Sequence, residues 1–194
     1  MGDDRGVEQR RQLGRDLGTP PYSTAQLASL IADVPDFPKK GILFKDITTL
    51  LKNPAAFKQS IDQLTDLVRG LDPGVVIGME SRGFIFAAPI AYQLDAGFVP
   101  VRKLGKLPGE VISAEYDLEY GTNTLELHRD AVGPGDRVLI VDDLLATGGT
   151  VSATIDLVKR LDGKVVAVAF LVELTALNGR DRLQDYEVIS LLKF

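Results

Sequence analysis

Three stretches of the chain are apolar without interruption: residues 75–79 (Val-Val-Ile-Gly-Met), 138–141 (Val-Leu-Ile-Val) and 165–172 (Val-Val-Ala-Val-Ala-Phe-Leu-Val). A run that does not alternate suits a strand covered on both faces, as in a parallel sheet. Shorter runs at 98–101 and 187–192 predict two more strands. Helical spacing fills the intervals. Leu27, Leu30, Ile31 and Val34 follow a Ser23/Gln26 capping-box pair and predict a helix that lasts until Pro35. Phe57, Ile61, Leu64, Val68 and Leu71 alternate spacings of four and three behind Asn53-Pro54, an N-cap with proline at the first helical position. Residues 84–94 are apolar almost throughout with Pro89 inside, which predicts a buried, kinked helix. Val151, Ile155, Val158 and Leu161 mark another helix, stopped by Asp162-Gly163. Apolar strands alternating with amphipathic helices specify an α/β fold with a mainly parallel sheet flanked by helices.

Two regions break the rhythm. Residues 36–48 read as an irregular turn, a short strand and a second turn. From Arg102-Lys103-Leu104-Gly105-Lys106-Leu107-Pro108-Gly109 to Tyr120-Gly121 the chain is first basic, then interrupted by glycine, proline and polar residues. That predicts a long excursion with short strands, the sort of connection that carries function. Residues 1–22 are polar and mixed in charge and are expected to form a loosely packed tail, with 23–194 a single domain.

Composition narrows the chemistry. The chain has 194 residues, 45% hydrophobic and 25% charged, enough for one core. It has no cysteine and one histidine, His128, which removes thiolate metal sites and disfavours a serine–histidine triad. A net charge of −5 argues against nucleic acid or an anionic membrane as partner. With neither a long apolar span nor a signal-peptide pattern, the expected location is cytoplasmic.

The candidate chemistry lies behind the 138–141 run. Two carboxylates, Asp142 and Asp143, are expected at the strand's end, where open α/β sheets bind ligands. Ala146-Thr147-Gly148-Gly149-Thr150 then leads directly into a helix, whose first N–H groups lack intrahelical partners and can seat a phosphate. A loop that wants an anion beside acids that want hydroxyls or a cation fits a ribose 5-phosphate. Charge-assisted hydrogen bonds supply roughly 1.5–3 kcal/mol each and the helix end about 0.3–1 kcal/mol. Immobilising a ligand costs roughly 4–15 kcal/mol, so the sugar contacts must share the binding. The string is neither a Walker A loop nor a GxGxxG fingerprint. An isolated Asp-Asp or Gly-Gly would be read as a cap and a turn; the whole ordered string is read as a site.

Residues 138–150 resemble the phosphoribosyl pyrophosphate (PRPP) signature of the type I phosphoribosyltransferases. Further segments, in the same order, resemble the adenine-specific branch of that family. They are Pro35-Asp36-Phe37-Pro38 with Gly41-Ile42-Leu43-Phe44-Lys45-Asp46-Ile47; Glu80-Ser81-Arg82-Gly83-Phe84; Val101-Arg102-Lys103 with Gly105-Lys106-Leu107-Pro108-Gly109; and Tyr116-Asp117-Leu118-Glu119-Tyr120-Gly121. The resemblance covers residue 34 onward. It implies a type I fold with a small N-terminal hood at about 34–50, a long flexible active-site loop, a homodimer, and conversion of adenine and PRPP to AMP and pyrophosphate with Mg²⁺ carried by PRPP and water, not by direct protein ligands. It also implies residue roles. Ala146 to Thr150 would hold the 5-phosphate, and Asp142 and Asp143 the ribose. Arg82 and the backbone around Glu80 and Ser81, with Arg102, Lys103 and Lys106, would hold pyrophosphate. Leu43, Phe44 and Lys45 would form the adenine pocket. Glu119 would handle the proton at the base, beside Tyr120 on the loop. A non-proline cis peptide is implied near Glu80–Ser81. Two departures stand out: Lys45 and Leu104 occupy positions where the family often has arginine and a cationic residue. The competing readings are a transferase for a 6-oxo purine and a PRPP-sensing regulator without catalysis, for which the acidic chain offers no nucleic-acid-binding extension.

Overall fold

The computed structural model describes residues 22–118 and 121–194. A seven-stranded sheet runs in the order β5-β6-β4-β3-β7-β8-β9. Five of these strands are parallel: β3 (Val75–Met79), β4 (Gly97–Lys103), β7 (Arg137–Leu145), β8 (Lys164–Glu173) and β9 (Val188–Lys193). β5 (Val111–Leu118) and β6 (Gly121–His128) form an antiparallel hairpin joined to β4 at the sheet's edge. A separate antiparallel pair, β1 (Ala32–Pro35) and β2 (Leu43–Asp46), makes the hood. The helices are α1 (Thr24–Ser29), α2 (Thr48–Leu51), α3 (Pro54–Val68), α4 (Gly83–Gln93) and α5 (Gly149–Arg160).

The unbroken apolar runs became central strands because both faces of the sheet are covered. Val76, Leu139, Val141, Ala169 and Leu171 enter one core with Leu64, Val68, Phe86 and Ile90 of α3 and α4. Ile77, Ile140, Val168 and Phe170 enter the other with Ile155 and Val158 of α5. Asn53 Oδ1 accepts from the Ala55 and Ala56 N–H groups, and Ser23 and Gln26 complete the capping box. Pro89 lies within α4.

Three expectations need correction. The first helix ends at Ser29, and Ala32 onward is strand: pairing of Ala32, Asp33 and Val34 with Asp46, Lys45 and Phe44 outweighs the helical spacing of Ile31 and Val34. The excursion after β4 is not a set of short strands but leads into a hairpin of two eight-residue strands. Its inner side chains, Ile112, Ala114 and Tyr116, pack with the core under α5, and the Arg160 guanidinium donates to the Ser113 carbonyl at 2.6 Å. β7 does not stop before the acids but runs through Asp142 and Asp143 to Leu145. Its pairing with β3 ends at Val141, and β8 alone carries it on, with Asp142 opposite Phe170 and Leu145 opposite Glu173. The expected tail, residues 1–22, lies outside the described residues apart from Tyr22. No described helix is long and apolar enough to cross a membrane.

Leu64 is fully buried between α3 and the sheet. Leu64→Ala is expected to lower unfolding stability by about 2–5 kcal/mol, read from urea denaturation midpoints. A loss under about 1 kcal/mol would show that this core relaxes freely.

Candidate functional site

The last four residues of β7 project past β3, and Asp142, Leu144 and Leu145 line a cleft beyond the parallel strand ends. The loop after β3 closes on them. Gly83 allows this: a Cβ there would lie 2.7 Å from Asp142 Oδ1 and 3.0 Å from the Val141 carbonyl oxygen. The same loop carries Arg82, whose Nε is 2.9 Å from Asp143 Oδ2. That oxygen is nonetheless buried without a hydrogen-bond donor, so the N–H is not aimed at it and the pair is a coulombic contact. Asp142 Oδ1 accepts from the Asp143 N–H at 2.9 Å.

Burial dominates the titration of both acids. Desolvation, with the Asp143 charge beside it, pushes Asp142 well above the ordinary carboxylate value of 3.8. Asp143 is also pushed up by burial, against the opposing pull of Arg82. Asp143 is thus buried with one guanidinium beside it, and Asp142 is half-buried where the strand meets the cleft.

Beside Asp142 opens a cleft of about 70 Å³, lined by Ala146, Thr147, Gly148, Gly149 and Thr150, with Met79 and Phe170 among the residues around it. Gly148 has φ +82°, a left-handed conformation that turns the chain from β7 into α5. The first turn of α5 presents its N–H groups here. The predicted phosphate loop and Asp142 therefore share one cleft wall, with buried Asp143 next to Asp142 in the strand but not among the lining residues.

The predicted pyrophosphate residues form a second cluster. The Glu80–Ser81 peptide is cis, as the resemblance implied. Glu80 Oε2 accepts from the Lys103 N–H at 2.9 Å and from Arg102 Nε at 3.3 Å. The Lys103 N–H, more than Arg102, holds the Glu80 carboxyl below its usual value. Arg102 also donates to the Lys106 carbonyl at 3.0 Å. The side chains of Lys103, Lys106 and Ser81 are exposed. Buried Glu126, which the sequence did not single out, accepts from the Gly105 N–H at 2.8 Å and holds the basic turn to β6.

The hood brings the third group. The Phe44 ring lies 5.3 Å from the Arg82 guanidinium and meets Phe37 edge-on at 5.1 Å. Leu43 is half exposed. The Lys45 ammonium pairs with Asp33 Oδ1 at 2.5 Å and lies over the Phe194 ring at 4.1 Å, so its charge is occupied between hood and sheet. Glu119 and Tyr120 lie outside the described residues. Local sequence reasoning missed Gly179, which meets the phosphate loop at Ala146 and Gly148, and its neighbour Arg180; the Asn178-Gly179 pair is a turn signal that could have pointed to them.

A carboxyl whose folded pKa exceeds its unfolded value binds more protons folded than unfolded. It therefore costs stability above the folded pKa, and the cost fades as pH falls below it. Asp142→Asn keeps an acceptor for the Asp143 N–H without the charge. It is expected to raise the thermal midpoint of the ligand-free protein at pH 7, by about 2–4 °C per kcal/mol relieved, with the gain shrinking toward the ordinary carboxylate range. A midpoint difference that does not depend on pH would refute the buried-charge account.

The phosphoribosyl transferase domain family matches residues 46–193. The adenine phosphoribosyltransferase of Alkaliphilus metalliredigens is 60% identical over 168 residues, 87% of this chain and 99% of the relative. The crystal structure of adenine phosphoribosyltransferase from Thermoanaerobacter pseudethanolicus superposes with a TM-score of 0.87 at 54% identity, covering 89% of this chain and all of that one. That from Saccharomyces cerevisiae, complexed with adenine and an imino-altritol 1,6-bisphosphate, superposes with a TM-score of 0.82 at 39% identity over 87% of this chain and 98% of that one. The chain belongs to the adenine phosphoribosyltransferase family and has its type I phosphoribosyltransferase fold.

Proposed function

We propose that this chain transfers the 5-phosphoribosyl group from PRPP to adenine, giving AMP and pyrophosphate, a purine-salvage reaction. The observation that carries the reading is the cleft at the end of β7: a helix start suited to an anion beside Asp142, a desolvated acid on the same wall, with the next residue, Asp143, keeping a buried oxygen without a donor. Ribose hydroxyls donating to Asp142 and Asp143 would supply what that environment lacks, while the 5-phosphate takes the N–H groups and hydroxyls of Ala146 to Thr150. Pyrophosphate would lie toward Arg82, the Glu80–Ser81 backbone, Arg102, Lys103 and Lys106.

Adenine would stack on Phe44, with a Leu43 carbonyl accepting from its 6-amino group. A 6-oxo purine presents an acceptor there and leaves that carbonyl unpaired. Because the Lys45 ammonium is committed to Asp33 and Phe194, the contribution of this segment to the base falls to backbone atoms and the Phe44 ring.

In the transfer, the bond from ribose C1 to the pyrophosphate oxygen breaks and a bond to the purine nitrogen forms on the opposite face. The base nitrogen loses a proton. Positive charge grows on the sugar beside Asp142 and Asp143, and negative charge on the leaving group beside the arginines and lysines. Fixed charges of the right sign in a water-poor cleft lower that barrier. Glu119, between β5 and β6 in the chain, is the proposed proton acceptor, and exclusion of water from the site would protect the sugar cation. Mg²⁺ would come with PRPP. Phosphate oxygens and water suit this cation. It would supply neutralisation of the departing pyrophosphate. We also propose a cytoplasmic homodimer, with the exposed Tyr92, Phe98 and Leu104 as contact residues.

Purified protein is expected to convert adenine and PRPP to AMP and to discriminate against hypoxanthine and guanine in competition. Preference for a 6-oxo purine would reject the pocket assignment, and PRPP binding without turnover would favour a sensor. Glu119→Gln is expected to lower kcat by about 10²–10⁴-fold. An unchanged kcat, with chemistry rate-limiting, would remove Glu119 from the mechanism.

A further inference from the structure

A turn with no part in the reading above lies in backbone contact with the phosphate loop. A Cβ on Gly179 would collide with the Ala146 carbonyl oxygen, and one on Gly148 would stand 2.7 Å from the Gly179 carbonyl oxygen. The two glycines face each other, and at each the nearest atom is a backbone carbonyl oxygen of the other segment, with the Leu145 side chain and Arg182 Cβ beside them. At the root of the turn, the Leu174 N–H donates to the carbonyl of Leu145, the last residue of β7, at 2.9 Å. The position of the turn therefore sets the position of Ala146 to Gly148.

Arg180 fastens the turn. Its Nε and Nη2 donate to the two carboxylate oxygens of Glu173 at 2.6 and 2.8 Å, and its Nη1 donates to the Val188 carbonyl at 3.0 Å. Glu173 ends β8 and its side chain is only 6% exposed; Val188 opens β9. The Arg180 hydrogen bonds, more than any other contact, hold Glu173 ionised below its usual pKa. Two-point pairing of this kind fixes direction as well as distance, and lysine cannot reproduce it. With its fork committed to Glu173 and Val188, Arg180 acts on the cleft only through Gly179.

We propose that Arg180 is a positioning residue for the 5-phosphate: clamped to Glu173 and Val188, it presses Gly179 against Ala146 and Gly148 and so sets the phosphate loop. This rests on the reading of residues 146–150 as the phosphate seat. The alternative is that Arg180 merely ties β8 to β9.

The test compares wild type, Arg180→Ala, Arg180→Lys and Gly179→Ala in steady-state turnover and in calorimetric binding of ribose 5-phosphate. Gly179→Ala tests the backbone seat alone, and Arg180→Lys, which keeps the charge without the two-point pairing, carries the decision on Arg180 where Arg180→Ala does not fold. Arg180→Ala and Gly179→Ala are expected to raise KM for PRPP and the Kd of ribose 5-phosphate together by about 10- to 100-fold, with KM for adenine at saturating PRPP near wild type. Arg180→Lys should lie between. A lowered melting temperature in the Arg180 variants with KM for PRPP and Kd unchanged in them would overturn the proposal and leave a strand tie, whatever Gly179→Ala does. Wild type that binds no ribose 5-phosphate would overturn the underlying reading of the loop instead.

Discussion

The organising constraint is the burial of two adjacent carboxylates on a strand that outruns its neighbour. β7 loses β3 as a partner after Val141 and continues only because β8 stays beside it. Asp142 and Asp143 are thus carried past the parallel strand ends, away from most water but not into an apolar core. Isolated charges are costly there, and Arg82 with the Asp143 N–H offsets only part of that cost. The residual demand for donors is what makes the place a site and not a strand end.

The neighbouring loops approach closely because glycine stands at each seam. Gly83 lets the loop after β3 reach Asp142, which brings Arg82 to Asp143. Gly148 and Gly179 let the loop after β8 support the loop after β7. In both places a methyl group would have to enter space already held by oxygen, the Asp142 carboxylate and Val141 carbonyl at Gly83 and the Ala146 and Gly179 carbonyls at the second seam, so the cleft's geometry rests largely on close backbone approach. Backbone contact is stiffer than contact through side chains with free rotamers, which suits a cleft of preorganised charge.

The hood is joined to this framework by charge and aromatic surface. Phe44 sits over Arg82, and Lys45 ties β2 to Asp33 and to Phe194 beyond β9. A lysine where the family often has arginine therefore has a defined occupation in the chain, and Arg82 touches both the acids and the aromatic ring above them.

The sequence by itself determined the α/β class, the central strands, the caps of α1 and α3, and the string of acids, small residues and hydroxyls that forms the cleft wall. These are local properties: apolar run length, cap chemistry and a motif whose members are neighbours in the chain. Its helical spacing through Val34 misled, because hood pairing lies beyond a local window. Only the tertiary structure decided that β7 runs on through both aspartates, that the region after β4 is a long hairpin under α5, that Lys45 faces Asp33, and that Gly179 and Arg180 stand behind the phosphate loop. Each of these depends on a partner remote in sequence: β8 for β7, α5 for β5, Phe194 for Lys45, Glu173 and Val188 for Arg180. Pairing register and close backbone approach are settled by packing of the whole chain, and no periodicity in the segment itself encodes them.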